Sequence, residues 1–454
     1  MKVLILGAGQ VGETLAQRMV TELSDVTLVD RDRQRLDQVV EHLDVSHLTG
    51  NAASPELLKR AGIEDTDLLV AVTDEDEVNL LACLVGGSLA PGCTLVARVR
   101  DRDFHTHREL LEQGGVRLDG WISPRQSAAR ELAELAILPG AVEVKEFIDC
   151  SVRMVASRVR ANSALVDKDL AALRQNGALD DLTVVGIERE GYFVPPKGNT
   201  TIGPGDLIFA LGTKDAANGL PSLCGHHARR VRNVFIAGGG RLGEELAQIL
   251  IDKGLHVRLA EGNLRRCHTL AEQLPKADVL NGDCTDQDFL VEERIGHADC
   301  FIACTIDDEV NILTALLAKK LGAKAVYVRE NTSHYTALTE SIGVDAAVSV
   351  RHAAVGSILR YARRGDVLAA QPFGATEGEV LEVRARETSP LVSVPIAKLQ
   401  LPRDVVIGAV LRYDQLLVAT GSLQIEPGDR VVICAPQRRI ADVQKLVAVG
   451  FEFL

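Results

Sequence analysis

A glycine-rich run occurs twice in the chain, as Gly7-Ala8-Gly9-Gln10-Val11-Gly12-Glu13 and, 231 positions later, as Gly238-Gly239-Gly240-Arg241-Leu242-Gly243-Glu244. Glycines at this spacing have separate tasks. One turns the chain, one leaves the backbone bare for a pyrophosphate to approach, and one lets the next helix pack close to the preceding strand. The phosphates would then rest on unpaired N–H groups at a helix start. Such a site also needs an acid at the end of the second strand, to accept hydrogen bonds from both ribose hydroxyls. Asp30 and Glu261 each stand 18 residues after the third glycine of their copy, Gly12 or Gly243. The chemistry implied is recognition of a dinucleotide, at two places.

The elements that must position these groups are legible around them. Residues 2–6 and 233–237 are apolar β-type runs feeding each glycine run, and amphipathic helical patterns follow over 13–21 and 244–253. Second strands over 26–29 and 256–260 lead to the two acids. Leu48-Thr49-Gly50-Asn51-Ala52 matches Leu280-Asn281-Gly282-Asp283-Cys284 after a third strand, at a carboxyl strand end where ligands gather in open α/β sheets. Fourth strands over 67–72 and 299–304 run into Thr73-Asp74-Glu75-Asp76-Glu77-Val78-Asn79 and Thr305-Ile306-Asp307-Asp308-Glu309-Val310-Asn311. The acidic turn suits the positive end of a helix dipole, so helix capping accounts for Asp74 to Glu77, while Thr73 and Thr305 sit nearer the expected ligand. Fifth strands end in Arg98 and Arg329, either of which could reach a phosphate or pair with the local acids.

The repeat continues beyond the nucleotide-binding halves. Helical patterns over 124–138 and 351–364 precede two smaller modules, in which Ser163-Ala164-Leu165-Val166 recurs as Ser389-Pro390-Leu391-Val392 and Pro204-Gly205-Asp206 as Pro427-Gly428-Asp429. Pro-Gly-Asp is a turn leading into a β-run. The expectation is an α/β chain in tandem duplication. Two Rossmann-like doubly wound parallel sheets would span 1–125 and 230–350, each followed by a small α+β domain over 141–225 or 370–454, with a linker over 221–231.

Composition narrows the function. Fifty basic and 63 acidic residues give a net charge of −13, with no basic tract suited to nucleic acid or an anionic lipid surface. The amino terminus enters a strand at once and no stretch approaches the roughly 18 apolar residues of a membrane helix, so a soluble intracellular protein is expected. Nine cysteines without a C-x-x-C pair suit free thiols, Cys300 and Cys304 reading as strand packing. The close histidine pairs, His105 with His107 and His226 with His227, lack further ligands at zinc-site spacing, so no metal is expected.

Taken together, the duplicated glycine runs, the Thr73–Asn79 segment and the repeated small module resemble the TrkA family, the cytoplasmic regulatory subunits of bacterial Trk potassium uptake systems. In that family the larger units are RCK N-domains and the smaller ones RCK C-domains. The resemblance implies a ring of N-domains, four chains of two each forming a homotetramer, beneath a TrkH/TrkG-type potassium-conducting membrane subunit. The chain would be a peripheral protein on the cytoplasmic side of the inner membrane, with NAD or NADH as ligand and ATP or ADP possible at the same sites. The implied first site comprises Gly7, Ala8, Gly9, Gln10, Val11, Gly12, Asp30, Asn51, Ala52, Thr73, Asp74 and Arg98. The second comprises Gly238, Gly239, Gly240, Arg241, Leu242, Gly243, Glu261, Asp283, Cys284, Thr305 and Arg329. Asn51 against Asp283 and Asp74 against Ile306 are differences that would tune ligand preference. The acids would repel a 2′-phosphate, although Arg31 and Arg33 blunt that argument for the first copy.

The rival function is an NAD-dependent oxidoreductase, which needs a substrate domain and a proton donor or acceptor beside the nicotinamide. The small modules are short for that task, and no histidine of one half has a counterpart in the other, so a regulatory sensor without catalytic residues is the expectation. Leu80, Leu81, Leu84 and Val85, with Ile312, Leu313, Leu316 and Leu317 in the repeat, form apolar helix faces assigned mainly to core packing.

Overall fold

Two parallel sheets and two antiparallel sheets alternate along the chain. The computed structural model describes residues 1–447 apart from Leu23, Cys150, Ala228, 332–341, 364–366, 375–377, Ser393, Arg403 and Asp414. Ala228 in the expected linker and Arg364, the last residue of the expected 351–364 helix, therefore lie outside the described residues.

The first parallel sheet contains β1 (Lys2–Leu6), β2 (Asp25–Asp30), β3 (Ser46–Thr49), β4 (Leu68–Ala71), β5 (Thr94–Arg98) and β6 (Gly120–Ile122), in the order β3-β2-β1-β4-β5-β6. Helices cover such a sheet on both faces, so β1 and β4 read as unbroken apolar runs rather than alternating ones. The order reverses between β1 and β4, which opens a crevice at their carboxyl ends.

After the first small module, with β7 (Ala141–Phe147), β8 (Val152–Arg158), β9 (Leu182–Arg189), β10 (Tyr192–Val194) and β11 (Leu207–Thr213), the parallel sheet is built again. Its strands are β12 (Asn233–Ala237), β13 (His256–Glu261), β14 (Asp278–Asn281), β15 (Cys300–Ala303), β16 (Val326–Glu330) and β17 (Ala346–Ser349), in the same order. The sixth strands, β6 and β17, are too short to carry a periodic signal. The expected fifth strand over 324–329 runs instead from Val326 to Glu330, so Arg329 precedes the strand end rather than closing it.

The second small module holds β18 (Val367–Phe373), β19 (Gly378–Arg384), β20 (Val406–Arg412), β21 (Gln415–Val418) and β22 (Arg430–Pro436). Its sheet order, β18-β19-β22-β20-β21, matches β7-β8-β11-β9-β10 of the first. In both, the turn aspartate is clamped by an arginine: Arg189 Nε donates to Asp206 Oδ1 at 2.8 Å, and Arg412 Nε to Asp429 Oδ1 at 3.0 Å. The two modules are not separate cores. Phe147, Met154, Phe209 and Leu211 pack in one cluster with Phe373, Val380, Leu411 and Val432, and the Phe209 and Phe373 rings meet edge-on at 5.0 Å. Short half-sheets of this size bury too little apolar surface alone, and sharing one core corrects that. Within the expected linker, Leu220–Leu223 forms a helical turn.

The chain divides into two compact units. One comprises Met1–Ser127 with Arg351–Arg363, and the other Ala128–Val350 with Arg364–Leu454. The helical segment after the second parallel sheet thus packs on the first: Ser127 Oγ lies 3.2 Å from Ser357 Oγ, and Arg363 Nη2 donates to Glu22 Oε1 at 2.9 Å. Conversely, most of the helix Pro124–Ile137 belongs with the second, where Lys253 Nζ donates to Glu134 Oε1 at 2.7 Å. Glu22 and Lys253 are equivalent positions, each capping the carboxyl end of a glycine-loop helix, Gln10–Thr21 or Arg241–Asp252.

Candidate functional site

In the first copy β1 delivers the chain to Gly7, whose φ of +110° is left-handed and whose N–H donates to the Val29 carbonyl at 2.7 Å. A Cβ there would lie 2.9 Å from the Thr73 backbone nitrogen, so the turn requires glycine. A Cβ at Gly12 would collide with the Gly7 carbonyl oxygen, and this fixes how closely the helix approaches β1. Gly9 differs. Its φ of −72° suits any residue, and a Cβ would meet nothing nearer than Arg35 Nη1 at 4.0 Å. Gly9 is also the N-cap of the helix Gln10–Thr21, which has no side-chain cap, whereas the neighbouring helix Arg33–Val40 is capped by Asp32.

Asp30 ends β2 nearly buried and ties the loop together. Its Oδ2 accepts from Ala8 N–H at 2.6 Å, its Oδ1 from Asp32 N–H at 2.9 Å, and Arg35 Nη1 stands 3.8 Å from Oδ2. Asn51 follows β3, is exposed, and accepts from Ala53 N–H at 3.0 Å, while Ala52 is buried.

At the end of β4 the organising residue is Asn79, fully buried in the helix Asp76–Leu89. Its Oδ1 accepts from Thr73 N–H at 2.9 Å and Thr73 Oγ1 at 2.7 Å, and its Nδ2 donates to the Thr73 carbonyl at 3.1 Å and the Arg98 carbonyl at 2.9 Å. The strand ends of β4 and β5 are thereby stapled. Arg98 donates to the Thr73 carbonyl and, at 2.8 Å, to Asp74 Oδ1. Burial works against the ionised Asp74 carboxylate, but the hydrogen bond and charge of Arg98, with Arg100 and Arg35, outweigh it and hold its pKa below the usual range. Asp76 and Glu77 stand in the first turn of this helix, as the acidic pattern implied, and Asp76 has a second task. Its carboxylate points inward and accepts from the N–H groups of Arg100 at 2.7 Å and Asp101 at 2.8 Å.

The second copy repeats most of this. Gly238 has φ of +112°, Gly243 would collide with the Gly238 carbonyl if it carried a Cβ, and Gly240 is an N-cap without a side-chain cap, with nothing within 4 Å of its Cβ position. Glu261 takes Gly239 N–H at 3.0 Å and Asn263 N–H at 2.8 Å. Asn311 staples Thr305 to the Arg329 carbonyl, as Asn79 does, and Arg329 turns onto the Thr305 carbonyl and Asn331. Asp283 accepts from Thr285 N–H at 2.8 Å and its hydroxyl at 2.7 Å, which lowers the Asp283 pKa. Burial pushes the Cys284 and Cys304 thiols up to about 12, so neither is a nucleophile.

The helices after the glycine loops, Gln10–Thr21 and Arg241–Asp252, place Gln10, Val11, Arg241 and Leu242 in their first turns. All the sequence-derived positions thus lie at or next to the carboxyl ends of their sheets. The sequence matches two family models in tandem: the TrkA-N domain over residues 3–124 and 234–350, and the TrkA-C domain over residues 154–224 and 380–448. The chain belongs to the TrkA family.

Full-length relatives agree with the TrkA assignment. The chain is 37% identical to the Trk system potassium uptake protein TrkA of Halomonas elongata, covering 100% of both chains, and 35% identical to that of Vibrio alginolyticus, covering 98% of both. Among solved structures it resembles the GsuK RCK domain, with a TM-score of 0.61 at 19% identity over 98% of this chain and 94% of that one. The GsuK channel bound to NAD scores 0.61 at 19% identity, over 98% of this chain and 78% of that one. These likenesses establish the tandem RCK fold.

The role of Asn79 and Asn311 is not legible in the local sequence, because only the fold brings their amides between two strand ends. A helical asparagine repeated at one register and facing the core was the available signal. Among the described residues no group of three or more His, Cys, Asp or Glu is placed to hold a metal. His105 lies against the Val99 carbonyl at 2.9 Å and His226 against the Arg158 carbonyl at 2.8 Å. No helix of the described residues is long and apolar enough to cross a membrane. The apolar helix faces divide: Leu80 and Ile312 are buried, Leu81 and Leu313 exposed, and Leu84, Val85, Leu316 and Leu317 partly buried.

Proposed function

We propose that this chain is the nucleotide-sensing regulatory subunit of a Trk-type potassium uptake system, with one adenine-nucleotide site at each glycine loop. The observation that carries the reading is the pair Gly9 and Gly240. Neither torsion angles nor packing requires glycine at these positions, yet both stand bare in front of an uncapped helix start. A phosphate accounts for both features, since it occupies the space a side chain would fill and satisfies the free N–H groups.

The acids fit the adenosine ribose. Each carboxylate accepts one backbone N–H per oxygen and keeps further lone pairs for the 2′- and 3′-hydroxyls. A 2′-phosphate would face a carboxylate, so NAD(H), ADP and ATP are favoured over NADP(H). Arg31 and Arg33 do not reverse this, because Arg31 pairs with Glu75 at 2.7 Å and Arg33 lies 3.9 Å from Asp37. On this reading Gly7 to Val11 and Gly238 to Leu242 cradle the phosphates. Asn51, Ala52, Thr73, Asp74 and Arg98 border the first site, and Asp283, Cys284, Thr305 and Arg329 the second. The arginines are turned onto backbone carbonyls, which suits them to holding the loops rather than to a first contact with phosphate.

Regulation then follows from differential affinity. A nucleotide that binds two conformations unequally shifts their balance, and a coupling of about 1–3 kcal/mol suffices. Each glycine-loop helix presents its amino end to the nucleotide and ends in a residue ion-paired to a crossover helix, Glu22 with Arg363 and Lys253 with Glu134. Glu134 in turn meets Arg153 of the small module at 2.7 Å. The family assignment supplies the setting of the proposal: a homotetrameric ring on the cytoplasmic side of the membrane, acting on a TrkH/TrkG-type conducting subunit without catalysing a reaction.

Calorimetric titration of the intact chain with NADH, and separately ATP, tests the reading. Saturable binding with the nucleotide recovered intact is expected, and Gly9→Asp or Gly240→Asp should each remove one class of site. Unchanged binding in both variants, or consumption of the nucleotide, would overturn it.

A further inference from the structure

The two copies have the same backbone but different charge around the glycine loop. In the first, Glu13 faces His42 at 3.2 Å, and Arg35 is left standing beside Gly9, half-exposed, 3.8 Å from Asp30. In the second, position 273 is Gln rather than His, and Glu244 instead captures the equivalent arginine: Arg266 Nη2 donates to Glu244 Oε2 at 2.6 Å and its Nε to the Gly239 carbonyl at 2.9 Å. One arginine stands 4.0 Å from the Gly9 Cβ position, whereas the other is tied to Glu244 and leaves nothing within 4 Å of the Gly240 Cβ position.

The surrounding positions follow the same division. Arg31, Arg33 and Arg100 of the first copy correspond to Gly262, Leu264 and Asn331, while Asp74 corresponds to Ile306 and Asn51 to Asp283. Leu264 and Ile306 are exposed, at 57% and 87%. The first rim is therefore polar throughout, whereas the second, which has Arg241 where the first has Gln10, carries two bare apolar side chains. Exposed apolar groups at a ligand rim favour a ring stacked on them, whereas a partly exposed cation beside the phosphate position favours terminal phosphate oxygens.

Resting on the nucleotide-sensor reading above, we propose that the two sites of one chain select different ligands. The first takes a nucleotide ending in free phosphates, ADP or ATP, with Arg35 as its selecting residue. The second takes a dinucleotide, NAD or NADH, whose phosphates are both esterified and whose second ring lies over the apolar rim. Glu244 enforces the difference by holding Arg266 on itself and on the Gly239 carbonyl, with nothing within 4 Å of the Gly240 Cβ position.

The test uses the full-length chain with one site blocked. With Gly240→Asp, leaving the first site, ATP should bind at least tenfold more tightly than NADH at fixed ionic strength, and with Gly9→Asp the order should reverse. Adding Arg35→Gln to the Gly240→Asp chain should weaken ATP about tenfold and NADH less than twofold. Adding Glu244→Gln to the Gly9→Asp chain should free Arg266 and strengthen ATP severalfold, a gain that no folding defect produces. Equal ATP-to-NADH ratios at both sites, or equal losses for both ligands on Arg35→Gln, would overturn the selectivity while leaving the nucleotide sites standing. Absence of binding to the unmutated chain would overturn the underlying reading itself.

Discussion

The ion pair between Glu22 and Arg363 holds the exchanged helical segment on the first parallel-sheet domain, and it is buried, with side-chain exposures of 9% and 0%. Removing one member of a buried pair leaves an uncompensated charge and costs about 3–5 kcal/mol, whereas replacing both with apolar side chains is close to neutral or stabilising. Arg18 Nε stands 3.6 Å from Glu22 and would partly compensate a lone glutamate. Arg363→Leu and Glu22→Leu should therefore both fall near the low end of that range, about 3 kcal/mol. The double variant should recover most of the loss. The chain carries a single tryptophan, Trp121 in β6, next to Gly120, whose Cβ position is 2.7 Å from the Tyr361 ring of the docked segment. Its fluorescence during urea unfolding reports on this unit. With a slope of about 1.5–3 kcal/mol per M, a loss of about 3 kcal/mol moves the midpoint down by about 1–2 M. Unchanged midpoints in the single variants, or a double variant whose loss equals the sum of the singles, would refute the reasoning. The equivalent pair, Lys253 with Glu134, has the opposite polarity.

Three further outcomes follow from the site and the core. Gly12→Ala and Gly243→Ala should each displace a glycine-loop helix and abolish binding at that copy alone, because their Cβ atoms collide with backbone carbonyls that cannot rotate away; full-strength titration of either variant at both sites would contradict this. Asn79→Ala should destabilise the first domain by about 1–3 kcal/mol, since it removes the acceptor of the Thr73 N–H and the donor to the Arg98 carbonyl, while Arg98 still donates to the Thr73 carbonyl; amide exchange at Thr73 no faster than in the unmutated chain would count against the staple. Burial, with the nearby Arg160 charge, lowers the His226 pKa below its usual 6.5, outweighing the Arg158 carbonyl and Asp345. The neutral ring is thus the form the fold prefers, and its unit should be more stable above pH 6.5 and lose stability as pH falls below that value towards the lowered folded-state pKa. An NMR titration midpoint for His226 at or above 6.5 would reverse that sign.

The sequence by itself determined the features that depend on local chain chemistry. Glycines where a left-handed turn or a close helix approach demands them, strands apolar on both faces, and an acid at fixed spacing mark the Rossmann-like fold, and their recurrence at one offset marks the duplication. Gly7, Gly12, Asp30 and their counterparts were readable because each constraint comes from a neighbour at short range or at fixed register. What the tertiary structure alone decided involves partners far apart in sequence. The exchange of the crossover segments depends on ion pairs between residues 341 positions apart in one case and 119 in the other. The merger of the two small modules into one core depends on faces such as those of Phe209 and Phe373, whose alternation announces that they are buried but not against what. Arg35 and Arg266 have the same type and register, and their different states are set by His42 or Gln273, seven residues on, through Glu13 or Glu244 of the preceding helix. Periodicity and motif spacing carry a residue's environment, whereas the choice among several oppositely charged or apolar partners is an energy difference that only the assembled structure evaluates.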